Sequence, residues 1–429
     1  MSTPPYPSNR RVWVLSLSAA AILMITMGVR QTSGLFVSPI NTATGLGIVS
    51  ISFALAIGQF VWGVTQPIFG AIADKYGSVR VLIFGTLLLA AGTALTPFVD
   101  SQWGLILTMG ILAAGGAGAG SFSVLIGASA RMIPAERRSF AAGFINAGGS
   151  FGQFLFAPIV QAIINASGWV TAMLALAAAS LLSIPLTWPF RRTRGAAAAP
   201  GVMPGNAGTA GAAIAIATET TPEVTLRQQL RDSFRNHSYL YLHAGFFTCG
   251  FHIAFLVTHL PGEIALCNLP AGVSATALAI IGLFNIAGSI MAGALGSRYR
   301  MKNLLVLIYA SRAVIIVLYL LAPKTPMTFY IFAAALGFTW LSTVAPTAGI
   351  VAKLFGTRYL ATLFGMTLLS HQVGAFFGAW LGGISFAAHG DYTWMWYADI
   401  VLAILAAIVN LPIKEAPIVQ KPVPDVMPA

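Results

Sequence analysis

The sequence predicts an all-α membrane protein with twelve transmembrane helices in two six-helix parallel repeats. Three observations predict this fold: the hydrophobic composition, the long apolar runs, and a repeat between the two halves of the chain. Of the 429 residues, 57% are hydrophobic and 8% are charged. A soluble domain has roughly 25% charged residues, because water must solvate its surface. The composition therefore excludes a soluble enzyme and favours a polytopic membrane protein.

The apolar runs are long enough for helices to cross a bilayer. A helix needs about 20 apolar residues for one crossing, whereas the strands of an outer-membrane barrel alternate over about ten residues. Polar breaks separate twelve such runs in this chain. The predicted spans are 12–34, 50–72, 81–99, 104–126, 140–164, 169–190, 240–262, 273–295, 303–322, 327–351, 360–386 and 394–412.

The basic residues lie in short clusters between these spans. Placing successive loops on alternate sides puts 20 of the 23 Lys and Arg residues on the side of both termini. Lys324 falls on the other side, and Arg30 and Arg312 fall within spans. Because cytoplasmic loops carry the excess of Lys and Arg, we expect a multi-pass protein of the cell inner (plasma) membrane with cytoplasmic termini. The net charge of +12 then reflects topology, and we expect no nucleic-acid partner.

The composition changes between the sixth and seventh spans. Residues 196–217 are almost all Ala, Gly, Pro and Thr, which is typical of a flexible linker. The segment TLRQQLRDSF follows and favours a short amphipathic helix at the membrane surface. The predicted organisation is an N-terminal six-helix half at 1–190, a cytoplasmic linker at 191–239, a C-terminal six-helix half at 240–412 and a cytoplasmic tail at 413–429.

The two halves repeat each other in corresponding hairpins. Four positions recur 222 residues later, as the pairs Gly127–Gly349, Arg131–Lys353, Gly143–Gly365 and Gly152–Gly374. Six spans per half give both halves the same orientation. The repeats are therefore parallel, related by an axis along the membrane normal.

A motif follows the second span, in the segment GAIADKYGSVR. Its defining residues are Gly70, Asp74, Lys75, Gly77 and Arg80. The segment resembles the loop signature of the major facilitator superfamily, G-x-x-x-D-[RK]-x-G-x-x-[RK]. The resemblance implies the superfamily's fold and a conformational latch, in which this loop bridges to span eleven in the outward-open state. The second copy, GALGSRYRMK, has Ser297 where the acid belongs, so we expect the latch in the first half only.

Three further segments carry a narrower resemblance. GVRQTSGLFVSPI, GFHIAFLVTHLP and IYASRA, from spans one, seven and nine, are similar to the bacterial monocarboxylate and oxalate/formate transporter-like branch. In the monocarboxylate carriers a basic residue in the outer part of span one binds the carboxylate, and Arg30 occupies that place. Those carriers also use an Asp-Arg pair in span eight. Here span eight departs from that pattern, since it is uncharged and Asn285 is its one strongly polar residue.

Polar side chains within spans are costly and are therefore functional candidates. Arg312 must pair with another group or face water, while the histidines of spans seven and eleven either carry a coupled proton or pack as neutral side chains. We expect no acid in the middle of any span, which leaves a positively charged cavity. The predicted substrate-binding residues are Arg30, Gln31, Thr32, His252, His259, Asn285, Arg312, Trp340, His371 and Gln372.

Together these features predict a secondary transporter that moves a small organic anion, a mono- or dicarboxylate, by alternating access. A proton is the candidate coupling ion, as in a symporter. Two alternatives stay open: an efflux transporter for amphipathic toxic compounds, and a non-transporting membrane sensor or scaffold. The sequence contains no hydrolase triad, nucleotide-binding loop or metal-ligand cluster, so we expect no enzyme, cofactor or metal. We expect a monomer surrounded by membrane lipid.

Overall fold

The structure is a computed structural model that describes residues 9–130, 132–133, 135–191, 225–356 and 359–416. Ten helical stretches within these residues are long and apolar enough to cross a membrane. One of them, Ala141–Phe190, has 50 residues and contains two crossings. The 30-residue helix Leu360–His389 supplies one more. The twelve predicted crossings are therefore present.

The N-terminal half contains spans one to six. Span one consists of α1 (Asn9–Gln31), a 3-10 turn (Ser33–Phe36) and α2 (Val37–Thr44). Spans two and three are α3 (Ile48–Tyr76) and α4 (Ser78–Leu95). Span four consists of α5 (Gln102–Leu105), a π-helix (Ile106–Ala113), α6 (Ala114–Ala119) and α7 (Phe122–Ala130). Spans five and six are α8 (Ala135–Leu181), which continues into α9 (Ser183–Leu186).

The C-terminal half contains spans seven to twelve and is preceded by a surface helix, α10 (Leu226–Phe234). Spans seven, eight and nine are α11 (His237–Leu266), α12 (Ala271–Gly296) and α13 (Met301–Leu321). Span ten is broken into α14 (Pro326–Thr339) and α15 (Val344–Phe355). Spans eleven and twelve are α16 (Leu360–His389) and α17 (Thr393–Asn410).

The structure differs from the predicted spans in two places. Span one continues well past the predicted end at 34, because the Thr32 hydroxyl donates back to the carbonyl oxygens of Gly28 and Val29 at 3.0 Å and the chain turns without leaving the helical path. Between spans five and six the described chain has no loop of several residues: α8 consists of two helices that meet in a turn at Gly168, whose φ of 83° is not helical and suits glycine. The helix expected in the linker is α10, capped by Thr225, while most of the linker lies outside the described residues.

The sequence repeat corresponds to a repeated helix contact. In the N-terminal half α1 packs against α8, and in the C-terminal half α11 packs against α16. A Cβ atom at Gly152 would overlap the backbone oxygen of Met24, and one at Gly374 would overlap that of Phe247. Small residues at these crossings let two backbones touch. The matched glycines therefore hold equivalent helix pairs together in the two halves.

The two halves meet along two helix pairs, α3 with α16 and α8 with α12. At mid-membrane Gly63 of α3 lies against the side chain of Gln372 of α16. In the other pair Asn285 of α12 donates from Nδ2 to the Ser150 hydroxyl of α8, at 2.9 Å. We call the side of the membrane that carries both termini the terminal side, and the other the opposite side.

Toward the opposite side the halves stay in contact. A Cβ atom at Gly383 of α16 would lie 2.5 Å from the Ser52 hydroxyl of α3. The rings of Phe53 and Trp380 meet edge to face one turn further in, with centroids 5.4 Å apart. In addition, the Gly34 turn of span one rests on the backbone oxygen of Val257 in α11. These contacts close the space between the halves on the opposite side.

Toward the terminal side the halves diverge. Seven residues are about two helical turns, so residues seven apart lie on one face. Gly70 lies seven residues beyond Gly63, and Gly365 seven residues before Gln372, yet a Cβ atom at either would meet nothing within 4 Å. The same holds for Gly143, seven residues before Ser150. The space between the halves therefore opens to the terminal side.

Candidate functional site

A cavity lies between the two halves at mid-membrane, and we call it the central cavity. It encloses about 570 Å³ of unfilled space, its opening included. The N-terminal half contributes the polar and aromatic lining residues Arg30, Gln31, Gln59, Trp62, Phe122, Ser150 and Gln153. The C-terminal half contributes Asn285, Trp340, His371 and Gln372.

The predicted substrate-binding residues divide into two groups. Six of the ten line the central cavity: Arg30, Gln31, Asn285, Trp340, His371 and Gln372. The other four, Thr32, His252, His259 and Arg312, lie away from its wall. All four are no more than 1% exposed, so each has its partners inside one half.

Arg30 lies in the last turn of α1, where its side chain reaches the wall of the cavity. The guanidinium carbon lies 4.0 Å from the centroid of the Trp62 ring, in a cation–π contact. Nη2 donates to the side-chain oxygen of Gln59. Both partners are neutral, and the described residues supply no acidic group in ion-pair distance. Because both partners are neutral, the positive charge of Arg30 is not balanced by them and is available to an anionic ligand.

Neutral amides extend the polar wall beside Arg30. The Gln31 amide donates to the Gln153 side-chain oxygen at 3.5 Å, which joins α1 to α8. Gln153 Nε2 is buried and has no hydrogen-bond partner within the described residues. The indole nitrogens of Trp62 and Trp340 are also buried and have no hydrogen-bond partner within the described residues. The side-chain oxygens of Gln31 and Gln372 are also buried without a partner there, so the cavity residues hold three unpaired donors and two unpaired acceptors. Leaving such a group unsatisfied costs about 1–3 kcal/mol.

Asn285 organises the wall on the C-terminal side. Its side-chain oxygen accepts from the backbone N–H of Leu341 at 3.1 Å, and its amide nitrogen bonds Ser150 across the interface. Leu341 belongs to the break between α14 and α15, where helical hydrogen bonds are missing. The Asn285 side chain therefore provides a hydrogen-bond acceptor for a backbone N–H at the helix break, and it also joins the two halves next to the cavity.

His371 and Gln372 face the cavity from the middle of α16. Gln372 Nε2 lies 3.2 Å from His371 Nδ1, so the amide donates to the ring when that nitrogen is unprotonated. The His371 ring also packs against Phe246, with centroids 5.0 Å apart. Of the histidines in the described chain, His371 alone lines the cavity. It is the imidazole that cavity water or a ligand can reach.

Arg312 is buried in the C-terminal half and stabilises the break in span ten. Its Nη2 donates to the carbonyl oxygens of Thr339 and Trp340, at 2.5 and 2.7 Å. The Tyr309 ring lies 5.5 Å from its guanidinium carbon. The carbonyls at the end of α14 have no partners within their own helix. Arg312 supplies them, and thereby fixes the backbone that carries Trp340 into the cavity.

His252 pairs with an acid that the spans had not been expected to contain. The His252 Nδ1 atom lies 2.5 Å from Asp399 Oδ2, and these side chains are 1% and 0% exposed. Asp399 is the seventh residue of α17, well inside the helix, so the expectation of no acid within a span is wrong. Pairing with His252 explains its burial, because a buried charge needs a partner.

Thr32 and His259 are held by backbone atoms. The Thr32 hydroxyl bonds its own helix, as described above, and His259 Nε2 lies 2.7 Å from the carbonyl oxygen of Ala379 in α16. Both are therefore placed by packing within the structure. No three His, Cys, Asp or Glu side chains of the described residues come together as metal ligands would.

The predicted latch segment forms the end of α3 and the start of α4. Gly77 separates the two helices with a φ of 96°, which a side chain would strain. Lys75 and Arg80 are exposed, and the Lys75 ammonium lies 5.2 Å from the Tyr76 ring centroid. Gly70 faces open space, so no helix of the described chain packs closely against it in this conformation. The side chain of Asp74 lies outside the described part of the chain.

The cavity residues missed from the sequence include Gln59, Trp62, Phe122 and Ser150. Gln59 and Trp62 are three residues apart on α3, and residues at that spacing share a helix face. A polar residue next to a tryptophan on one face of an apolar span is a usable signal. Ser150 carries none, since lone serines are common in transmembrane helices.

Comparison with known proteins agrees with this architecture. Residues 17–379 match the family described as the Major Facilitator Superfamily. The chain belongs to this superfamily. A solved structure of a D-xylose-proton symporter superposes on this major facilitator protein with a TM-score of 0.68 at 14% identity, and covers 94% of this chain and 97% of the other. That likeness confirms the predicted fold.

Relatives of this major facilitator protein include two named organic-anion carriers. Monocarboxylate transporter 13 of Rattus norvegicus is 26% identical over 385 residues, 89% of this chain and 84% of that protein. The oxalate:formate antiporter of Oxalobacter formigenes is 23% identical over 385 residues, 89% of this chain and 86% of that protein. The predicted resemblance to this branch is confirmed. The chain is a multi-pass membrane transporter and not an enzyme.

Proposed function

We propose that this transporter carries small organic anions, mono- or dicarboxylates, and that Arg30 binds the anion. The observation that supports this is the guanidinium of Arg30 at the cavity wall, held by the Gln59 amide and the Trp62 ring. A guanidinium offers a planar fork that matches a carboxylate with two parallel hydrogen bonds. A bound carboxylate would supply the counter-charge that the wall lacks.

Three of the five polar atoms on cavity residues that lack a partner in the described structure are donors that suit an anion: Gln153 Nε2 and the indole nitrogens of Trp62 and Trp340. Carboxylate oxygens accept hydrogen bonds and donate none. The other two, the side-chain oxygens of Gln31 and Gln372, would accept from a hydroxyl group or a water bound with the anion. The names of the two relatives, a monocarboxylate transporter and an oxalate:formate antiporter, agree with this substrate class.

The transport step is alternating access of the two six-helix halves, 1–190 and 240–412. The halves touch on the opposite side and part on the terminal side, where Gly70, Gly143 and Gly365 face open space. In the other conformation these glycine-bearing faces approach each other, and the Gly70–Arg80 segment acts as the latch that holds them. Glycine faces suit such a contact because they let helices touch along their backbones.

A proton accompanies the anion in this proposal, and His371 carries it. His371 lines the same cavity as Arg30 but comes from the other half. Histidine changes its charge between about pH 5 and 8. The anion would bind to the N-terminal half and the proton to the C-terminal half. Both would therefore shift the same equilibrium, the one between the two arrangements of the halves. The membrane is the cell inner membrane and the terminal side is the cytoplasm, which agrees with the excess of Lys and Arg there.

Counterflow in proteoliposomes tests the anion site. Purified protein is reconstituted with a panel of labelled formate, oxalate, acetate and pyruvate, and exchange is followed in the wild-type chain and in Arg30→Gln. We expect exchange of at least one carboxylate, and a loss of about 10- to 150-fold in apparent affinity in the variant, since a hydrogen bond to a charged group contributes about 1.5–3 kcal/mol.

Arg191→Gln is the matched control. Arg191 also stacks on a tryptophan, with its guanidinium carbon 3.7 Å from the Trp188 ring, but at the end of span six. The Arg191→Gln variant should exchange carboxylates like the wild-type chain. Full exchange by Arg30→Gln would remove Arg30 from the site. Expulsion of a cationic dye without any carboxylate exchange would favour the efflux alternative, and inertness towards both would favour a sensor or scaffold.

A further inference from the structure

A second cavity lies inside the N-terminal half, and we call it the side chamber. It encloses about 600 Å³ of unfilled space, its mouth included, and residues of spans one, two, three, four and six line it. It shares two residues with the central cavity, Arg30 and Gln59. The guanidinium of Arg30 therefore stands where the two spaces adjoin.

The walls of the side chamber are apolar apart from that shared corner and Ser33. Leu55, Leu89, Met173 and Leu176 contribute aliphatic and thioether side chains. Its two threonines, Thr93 and Thr96, donate their hydroxyls to the backbone oxygens of Leu89 and Gly92, both at 2.8 Å. Their hydroxyls are thus satisfied by their own helix, which leaves methyl groups to complete the apolar surface.

Small residues and an irregular helix keep this space unfilled. Gly58, Ala113 and Ala117 line the chamber and contribute little side-chain volume to its walls. The wall of span four includes the π-helix Ile106–Ala113, whose wider turns contribute Met109 and Ala113. π-Helical segments are rare and occur frequently at functional sites. An apolar pocket with one cation in its wall is the form of a site for an amphipathic anion.

We propose that the side chamber receives the apolar tail of a transported monocarboxylate whose carboxylate group lies on Arg30. This deepens the proposed function, on which it rests, by favouring monocarboxylates with an alkyl or aryl tail over dicarboxylates. A second carboxylate at the tail end would lose its hydration among Leu89, Met173 and Leu176 without meeting a cation there. An uncharged alcohol of equal length would lack the contact with Arg30.

A chain-length series tests the proposal. Binding of acetate, butyrate, hexanoate and octanoate to the purified transporter is measured as a shift in melting temperature, beside the matched alcohols and the dicarboxylates succinate and adipate. We expect affinity to rise about fourfold per methylene group, from the free energy of burying one methylene, until the tail fills the chamber. Adipate should gain nothing over succinate, and the alcohols should bind weakly at every length.

Two variants place the tail in this chamber. Leu176 already lines the chamber, so Leu176→Phe should fold while its larger ring takes up part of the chamber. It should bind hexanoate no better than acetate and keep its acetate affinity within about twofold. Met173→Ala enlarges the chamber and should move the optimum to longer tails. Gly272→Leu, at a glycine that faces open space on α12, is the matched control and should keep the wild-type series.

The outcomes separate this inference from the function on which it rests. A flat series, with acetate binding that depends on Arg30, would overturn the tail proposal and leave the anion site standing. Failure of every carboxylate to bind would remove the anion site itself. A slope that Leu176→Phe and Met173→Ala both leave unchanged, or alcohols that bind as well as the acids, would mean that the tail lies elsewhere or that the chamber takes a lipid chain.

Discussion

Each half of the molecule has an arginine within a span, half-buried at Arg30 and buried at Arg312, and a histidine is part of the surroundings of both. In the cavity cluster, formed by Arg30, Gln59, Trp62 and His371, the arginine bonds a side-chain amide and an aromatic ring. In the interior cluster, formed by Arg312, Trp340, His252 and Asp399, the arginine donates to two backbone carbonyls and the histidine is paired with an acid. The two arginines have the same chemistry and differ in what holds them.

The difference lies in whether a ligand can replace the partners. Side-chain partners such as the Gln59 amide can turn away, so Arg30 can exchange them for a carboxylate at small cost. The carbonyls of Thr339 and Trp340 belong to a helix end that would be left unsatisfied if Arg312 moved. A cation within a span with movable neutral partners is thus available for binding, whereas one with backbone partners is part of the scaffold.

Removal of Arg312 should have the largest effect. Arg312→Met keeps the length of the side chain but loses both hydrogen bonds at the break in span ten, each a bond to a charged donor. We expect the free energy of unfolding to fall by about 3–5 kcal/mol, measured as a lower melting temperature in detergent. Arg30→Met is the comparison and should melt close to the wild-type chain. Normal melting with abolished carboxylate exchange in Arg312→Met would place Arg312 in the binding site instead.

Replacement of His371 should change pH dependence without changing stability. His371→Gln keeps a polar side chain of similar reach and removes the imidazole that faces the cavity. Net carboxylate uptake by the wild-type chain should rise as the pH falls on the side from which the anion enters, because the proton moves with the anion. The variant should lose this dependence and still exchange anions. His259→Gln, altered at a ring that bonds Ala379, should keep it. An unchanged profile in His371→Gln would assign the proton to another group.

The smallest effect is expected at Trp62. Trp62→Leu keeps an apolar side chain and removes the ring beneath Arg30, which frees the guanidinium from its cation–π contact. Such contacts contribute about 0.5–1 kcal/mol, so we expect carboxylate affinity to weaken by about two- to fivefold through loss of orientation. Trp188→Leu, beside Arg191, should leave affinity unchanged. Equal weakening in both variants would mean that the effect comes from the membrane interface.

Much of the fold could be predicted because the relevant signals are one-dimensional. Apolar runs and the positions of Lys and Arg are properties of the chain alone, and the membrane imposes a simple rule on both. The glycine repeat added the relation between halves, and the contacts of Gly152 and Gly374 explain why glycine recurs there. The extra length of span one could not be predicted, since the polar run after Arg30 looks like a helix end.

The site was predicted less well, because the direction in which a side chain points depends on helix rotation. A helix surrounded by protein and lipid is apolar on all faces, so its pattern does not show which side meets a cavity. Arg30 and Arg312 both lie in apolar runs, so the sequence does not distinguish them. Their different roles become visible only from the side chains and backbone packed around each. The pairing of Asp399 with His252 could not be predicted, because the two residues are 147 positions apart in the chain.

The mid-membrane contacts between the halves bear on how the molecule would rock. Gly63 against Gln372 and Ser150 against Asn285 stand on opposite flanks of the central cavity, one in each interfacial helix pair. If the halves turn about these two points, the line between them is a pivot that passes through the cavity. Atoms on a pivot hardly move while the distant ends swing. A ligand bound there would stay nearly in place while access to it changes from one side of the membrane to the other. Transport would then move the ends of the helices rather than the ligand.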